Sequence, residues 1–538
     1  MPQSDGKKPR KPGTVPDGPV AKKARGFAFR AEVRFKVCTP HKPPPDYDDR
    51  ETYNWRDFLE REDFDTAPVQ SYATAPLHDI WQHMCIGMKM EVPNMDYTQH
   101  DDSAVFWVAS VQKFAGYKIL LRYEGLDNDH SFDFWMNLCA RHVHPIGWCA
   151  KEQRPLVAPK AVQDAHPDTR SVQEWKAFLC RRLTGARTLP MEFRERVLRA
   201  ISCQFKVGMH VEMVDRAKLS QLRPAIIKQV IGHRLHIQYT EIDPPAASSS
   251  KGSKKESEDS AEEDEFDDEF WCHIRSPLLH PVGWALKTSH DIKCSKDYLD
   301  ECKKKIETNK YAENDATPAM FPEPPPPTPK DKFQFEVGQK LEAVDPLDLS
   351  NIVIATVAKI LTDGYMMVSF DGTSDSFCYH RSSPSIFPVG FCESHNIQLQ
   401  PLKGTGASHR FSWPDYLRQT KSVAAPVSLF NTALVQHHFA RGQKVECTDL
   451  MDPRLVCVAT VGEVKGRLLR IHFDGWEESF DQWVDCQAPD LFPIGYCEMM
   501  GNKLEPPKAP TPTASQAPKK KSSSKSTHKK STSGSSKR

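Results

Sequence analysis

The sequence predicts a mainly β protein. Four tandem copies of one small barrel domain, each with a helical N-terminal arm, pack into one compact array between disordered basic tails. Two sets of motifs and one spacing predict it. Four segments close alike: "HPIGWC" (144–149), "HPVGWA" (280–285), "FPVGFC" (387–392) and "FPIGYC" (492–497). Four open alike: "GMKMEV" at Gly87, "GMHVEM" at Gly208, "GQKLEA" at Gly338 and "GQKVEC" at Gly442. The last three closing motifs stand 107 and 105 residues apart, counted between Pro281, Pro388 and Pro493, and the first interval, from Pro145, is 136. That period is too long for a solenoid and suits a small domain.

Taken in order, residues 1–45 are rich in Pro, Lys and Arg, with "KKAR" at Lys22–Arg25, and read as a disordered tail. The first repeat is assigned to 46–155, with an arm at "WRDFL" from Trp55, and the second to 165–290, with an arm at "WKAFL" from Trp175. A disordered insertion is read at about 246–268, overlapping a stretch with ten acids from Glu256 to Glu269, and it accounts for most of the longer first interval. The third repeat spans 291–403. Its arm, "SKDYL", has Ser295 where the others have Trp, and "FPEPPPPTP" (about 321–329) reads as an extended linker. The fourth repeat spans 408–506, with an arm at "WPDYL" from Trp413. Its runs "LVCVATV" and "LLRIHF" are β-branched and apolar and are bounded by Gly, Pro and Asp, as short barrel strands are. Residues 507–538 form a second tail, with eight Lys or Arg and no acid from Lys519 onward. Rings at i and i+3 in the arms share one helix face, which makes them packing anchors.

Composition narrows the function classes. No run of about twenty apolar residues exists, and the first residues lack the apolar core of a signal peptide, so no membrane partner is expected. Fifteen cysteines include no pair separated by two residues, so neither a structural zinc site nor a disulfide framework is read, and reduced thiols suit a cytosolic or nuclear protein. No P-loop, dinucleotide glycine fingerprint, G-x-S-x-G elbow or H-E-x-x-H is present. No enzyme activity, catalytic residue, cofactor or metal is therefore assigned. The adjacent His437 and His438 of "QHHF" are read as loop residues. The basic tails are candidates for import signals or for non-specific nucleic-acid contact.

One stretch stands out. "HFDGWEESFDQW", His472–Trp483, sets Phe473, Trp476, Phe480 and Trp483 among four carboxylates. With this stretch, the opening and closing motifs and the W-x-x-[FY]-L arms, the chain resembles the malignant brain tumour (MBT) repeat family over residues 50–506. It is most similar to four-repeat members with a long insertion in the second repeat; the cysteine-rich zinc finger that such members can carry ahead of the repeats is not seen. The resemblance implies Tudor-like barrels in a nuclear chromatin reader. Its expected partners are histone H3 and H4 tails carrying mono- or dimethyl-lysine, nucleosomes, and subunits of a Polycomb-type repressive complex.

The family's cage combines an Asp from the loop after the opening motif with three rings from the later strand and loop. Carried onto this sequence, these are Asp449 of "VECTDLMDP" with Phe473, Trp476 and Phe480. Asp452 is placed at the rim and Trp483 in the packing. The chemistry fits the ligand. A methylated ammonium has lost hydration and is matched by ring faces, each contributing roughly 0.5–2 kcal/mol. A carboxylate beside the rings can accept from the N–H that mono- and dimethyl-lysine keep and trimethyl-lysine lacks. Without the family, the same pattern would equally describe rings filling a barrel interior. The other repeats depart from the set. Repeat 3 has Asp345, Phe370 and Phe377 but Thr373 for the Trp. Repeat 2 keeps Asp215, Tyr239 and Phe270 but has Ile242, and repeat 1 has Tyr123 and Phe132 but Asn94 and Leu126. These three are read as scaffold. The competing function is a nucleosome- or nucleic-acid-binding scaffold whose repeats bind protein partners.

Overall fold

The β-branched runs between each opening and closing motif form five-stranded antiparallel sheets, one per repeat. Each has the same strand order, with the short fifth strand beside the first and the rest following in sequence. The computed structural model describes residues 52–61, 63–97, 104–240, 269–323, 334–400, 411–431 and 435–508. The expected N-terminal tail, the acidic insertion, most of the Pro-rich linker and the C-terminal tail beyond Lys508 fall outside these. Phe321, at the start of that linker, instead belongs to the folded part, its ring 5.4 Å from that of Phe205. In repeats 2, 3 and 4 the second strand carries a register shift against the third, at Ile227/Gln229, Val357/Lys359 and Val461/Glu463, which bends the sheet toward closure. Among the described residues no helix is long and apolar enough to cross a membrane.

The opening and closing motifs recur because they meet. The Glu of each opening motif is buried under the short helix of its own closing motif and accepts from two of that helix's backbone N–H groups. Glu91 takes Gly147 (2.8 Å) and Cys149 (2.6 Å); Glu446 takes Gly495 and Cys497, both at 2.7 Å. Glu212 and Glu342 do the same with Gly283 and Ala285, and with Gly390 and Cys392. A helix N-terminus leaves such donors unpaired, and a carboxylate satisfies two at once. Burial nevertheless pushes the Glu212 carboxyl up to about 7.

The arms are helical where expected, at Arg56–Leu59, Val172–Leu183, Lys296–Thr308 and Trp413–Thr420. Each docks on a barrel other than the one it precedes. The Trp413 indole N–H donates to Glu342 of repeat 3 (2.7 Å), and the Trp55 indole donates to Glu446 of repeat 4 (2.8 Å). Where Ser295 replaces the Trp, the Tyr298 hydroxyl donates to Glu212 instead, at 3.0 Å. Trp175 packs edge-on against Trp107 of repeat 1. The arm rings are thus anchors, and three arms also complete a hydrogen-bond set that the sequence had not tied to them.

The chain divides into two compact units. One holds residues 85–113 and 120–194, the bulk of the first barrel with the second arm. The other holds, of the described residues, those within 52–84, 114–119 and those from Glu195 onward. Within the second unit, repeats 2, 3 and 4 pack on one another. The hairpin of repeat 3 places Thr362 against Thr288 and Lys287 in the closing helix of repeat 2. Leu468 and Trp483 of repeat 4 share a core with Phe387 and Cys392 of repeat 3. The hairpin of repeat 2 presses Gly232 onto Met500, in the closing helix of repeat 4, so closely that an added Cβ would lie 2.8 Å from the Met500 Cβ. Each of these three barrels therefore rests on another of the three.

Candidate binding site in the fourth repeat

Asp449 opens the loop between strands Lys444–Thr448 and Val456–Lys465. The loop is closed by its own backbone: the Asp449 N–H donates to Leu455 O (3.1 Å), and the Leu455 N–H donates to Asp452 O (3.0 Å). One carboxylate oxygen of Asp449 is fully used. It accepts from the N–H of Met451 (2.9 Å), the N–H of Asp452 (3.3 Å) and the side-chain amide of Gln482 (2.6 Å). The other oxygen accepts no hydrogen bond among the described residues.

The rings come from the far side of the sheet. Phe473 ends strand Leu468–Phe473 opposite Ala459 and is buried. The chain turns at Gly475, whose φ of +80° and contact with the Lys508 backbone exclude a side chain. This presents Trp476 half-buried against the Phe473 core. A short helix, Glu478–Phe480, then brings the Phe480 ring to 5.2 Å from Trp476, edge-on and 48% exposed. Gln482 holds the two halves together. It is 2% exposed, its amide donates to Asp449, and its carbonyl accepts from the Leu450 N–H at 3.1 Å. Sequence reasoning missed this residue. The available signal was a polar side chain on the inward-facing side of strand Gln482–Asp485, in step with Val484.

Trp476 and the loop residues Leu450 and Leu455 pack on the core that contains Phe473, and Phe480 touches Trp476. Asp452, expected at the rim, has its carboxylate committed to Arg454 in a two-point ion pair (2.7 Å each), which holds it below the usual range. Trp483 is packing, in the core shared with repeat 3. The acids interleaved with the rings have other uses. Asp474 is bonded to Lys444 and Thr460, and Asp481, 5% exposed, is bonded to Arg470 and His472. Glu477 and Glu478 are on the surface. Asp449 itself comes from another strand connection, between Lys444–Thr448 and Val456–Lys465. A cation already rests on this site: the Lys508 ammonium lies 4.2 Å from the Trp476 ring centroid, and its backbone N–H donates to Asp474 O. His437 is a loop residue as expected, its ring N–H directed at Gly466 O.

The equivalent ends of the other repeats are built differently. In repeat 3 Phe377 stands opposite Val368, the register that Gln482 holds opposite Ile471. It therefore replaces the clamp rather than the third ring, because the connection from Phe370 is two residues shorter. Phe270 stands in the same register in repeat 2. There Asp215 spends both oxygens on Ala217 and Gln221, and the Arg223 guanidinium covers Tyr239 at 4.3 Å. In repeat 1 Asn94 is fully buried and donates to Val157 O. Val162 presses on Gly125, leaving no room for even a Cβ there.

The mbt repeat matches this chain at residues 88–163, 209–299, 339–406 and 443–511. The chain belongs to the MBT repeat family. It is 45% identical over 466 residues to MBT domain-containing protein 1 of Xenopus laevis, covering 85% of this chain and 68% of that protein. It is 40% identical to the Polycomb protein Sfmbt of Drosophila melanogaster over 88% of this chain and 37% of that one. Among solved structures it is similar to the four MBT repeats of Drosophila melanogaster Sfmbt in complex with the peptide RHR(me)KVLR. That match has a TM-score of 0.73 and 40% identity, covering 86% of this chain and all of the other.

Proposed function

We propose that the fourth repeat binds mono- and dimethyl-lysine on histone H3 or H4 tails, and that the protein is a nuclear chromatin reader in Polycomb-type repression and chromatin compaction. The observation that carries this reading is the Asp449 carboxylate. One oxygen is locked by three donors and the other accepts no hydrogen bond among the described residues, while Leu450 and Leu455 of the same loop pack on the core that holds Phe473 and Trp476. A locked carboxylate is preorganised for a charged donor, so little ordering cost remains at binding. The bond to a methylammonium N–H contributes about 1.5–3 kcal/mol, or roughly 10- to 150-fold over trimethyl-lysine. The Lys508 ammonium over Trp476 supports the cation-binding character of the ring. The methylated peptide on the Sfmbt repeats supports the ligand class, and the Polycomb name of that protein supports the pathway.

Two or three ring contacts and one charged bond, less ordering costs, correspond to a dissociation constant of roughly 10–500 µM for a short peptide. Titration of the full chain with un-, mono-, di- and trimethylated forms of one histone peptide tests this. Tighter binding of the lower methylated states is expected, and equal binding of all four overturns the reading. A second reading, a nucleosome- or nucleic-acid-binding scaffold, is favoured by the filled ends of repeats 1–3. Affinity for DNA that collapses with salt, alongside no methylation dependence, would select it.

A further inference from the structure

We propose that Arg234 of repeat 2 is a positioning residue for the Asp449 loop of repeat 4, so that the reader site is built by two repeats rather than one. This rests on the reading of Asp449 as the ligand's carboxylate. Arg234 begins strand Arg234–Tyr239 and is only 4% exposed, yet its guanidinium donates to the backbone carbonyl of Pro453. Pro453 lies inside the turn closed by the Asp449-to-Leu455 and Leu455-to-Asp452 hydrogen bonds. A shift of its carbonyl therefore moves the segment whose N–H groups lock the Asp449 oxygen.

Repeat 2 braces Arg234 from behind. The Trp271 ring lies 5.4 Å from its guanidinium carbon, and Gly232 is pressed onto Met500 of repeat 4. At the other end of the loop the Thr448 N–H donates to Asp490 O (2.9 Å), so both ends of the turn are tied down. Burying a guanidinium costs several kcal/mol, and its Nε has no hydrogen-bond partner. The buried Asp490 carboxyl offsets part of that cost, a charge effect that R234K keeps and R234M removes along with the donor. What an apolar chain cannot do is hold the Pro453 carbonyl. Repeat 2, whose own aspartate and tyrosine are occupied internally, contributes to binding through this contact.

The test uses the full chain with R234M, which keeps the volume and removes the donor. R234Q, too short to reach the carbonyl, serves the same purpose if R234M does not fold. Hydrogen exchange without ligand should speed up about tenfold at the Met451, Asp452 and Leu455 amides, with the Trp476 side of the barrel unchanged. Dimethyl-lysine peptide should bind about 5- to 10-fold more weakly, with a smaller preference over trimethyl-lysine. R234K, which retains a donor, should recover part of both. A folded R234M with wild-type exchange in the loop and wild-type methylation preference overturns the proposal. If exchange changes as expected but the wild-type chain binds no methylated peptide, the positioning role stands and the reader function falls.

Discussion

Replacing Asp449 by Asn separates the charge of the site from its shape. The three donors that lock one oxygen, from Met451, Asp452 and Gln482, can all be met by the Asn carbonyl, so the loop should keep its place. That orientation puts the amide NH2 in the place of the carboxylate oxygen that, in the proposed site, meets the ligand. A methylammonium N–H then faces a donor instead of an acceptor. The loss is the charge-assisted bond, about 1.5–3 kcal/mol, so the dimethyl-lysine peptide should weaken roughly 10- to 150-fold. Trimethyl-lysine never had that bond and loses only a through-space attraction of about 1 kcal/mol in a solvated site. The dimethyl-to-trimethyl ratio should therefore fall toward one while absolute binding falls for both. Calorimetric titration of D449N with each methylation state, at a temperature where its fold matches wild type, measures both quantities. A folded D449N that keeps wild-type dimethyl affinity, or loses affinity equally for the two states, refutes the assignment of Asp449.

Trp476→Ala removes a ring wall and should abolish measurable peptide binding while the barrel stays folded. Asp345→Asn in repeat 3, whose connection lacks the Trp and the Gln clamp, should bind as wild type; loss of binding there would place the site elsewhere. Glu446→Ala leaves the Trp55 indole and two helix N–H groups without their buried acceptor. It should cost on the order of 3–5 kcal/mol, read as a large fall in the thermal unfolding midpoint. Glu212 provides a pH signature. Its folded carboxyl holds its proton up to about 7, against an ordinary 4.5, so its contribution is full below the unfolded value and is lost as pH rises through about 7. Denaturation of wild type against Glu212→Gln should show wild type losing relative stability between pH 4.5 and 7, the half-buried His280 and the buried His290 being common to both. A difference that does not change with pH would contradict it.

Much of this protein was legible in one dimension. The four repeats and the arms followed from short local motifs, because a turn glycine, a helix face or a strand run is decided by near neighbours; the choice of Asp449, Phe473, Trp476 and Phe480 rested on the family resemblance. The use of the charges was not. "HFDGWEESFDQW" suggested that its acids serve its rings, yet Asp474 belongs to Lys444 and Asp481 to Arg470 and His472. Phe377 was read as a cage ring, and only strand register showed it in the place of Gln482. The partner of Trp55 lies 391 residues away, and that of Arg234 lies 219 away. A carboxylate, an indole N–H or a guanidinium can pair with many groups of the same chemistry. Which one it meets is decided by how the barrels pack and which strand lies beside which, and that choice ties one oxygen of Asp449 to three donors.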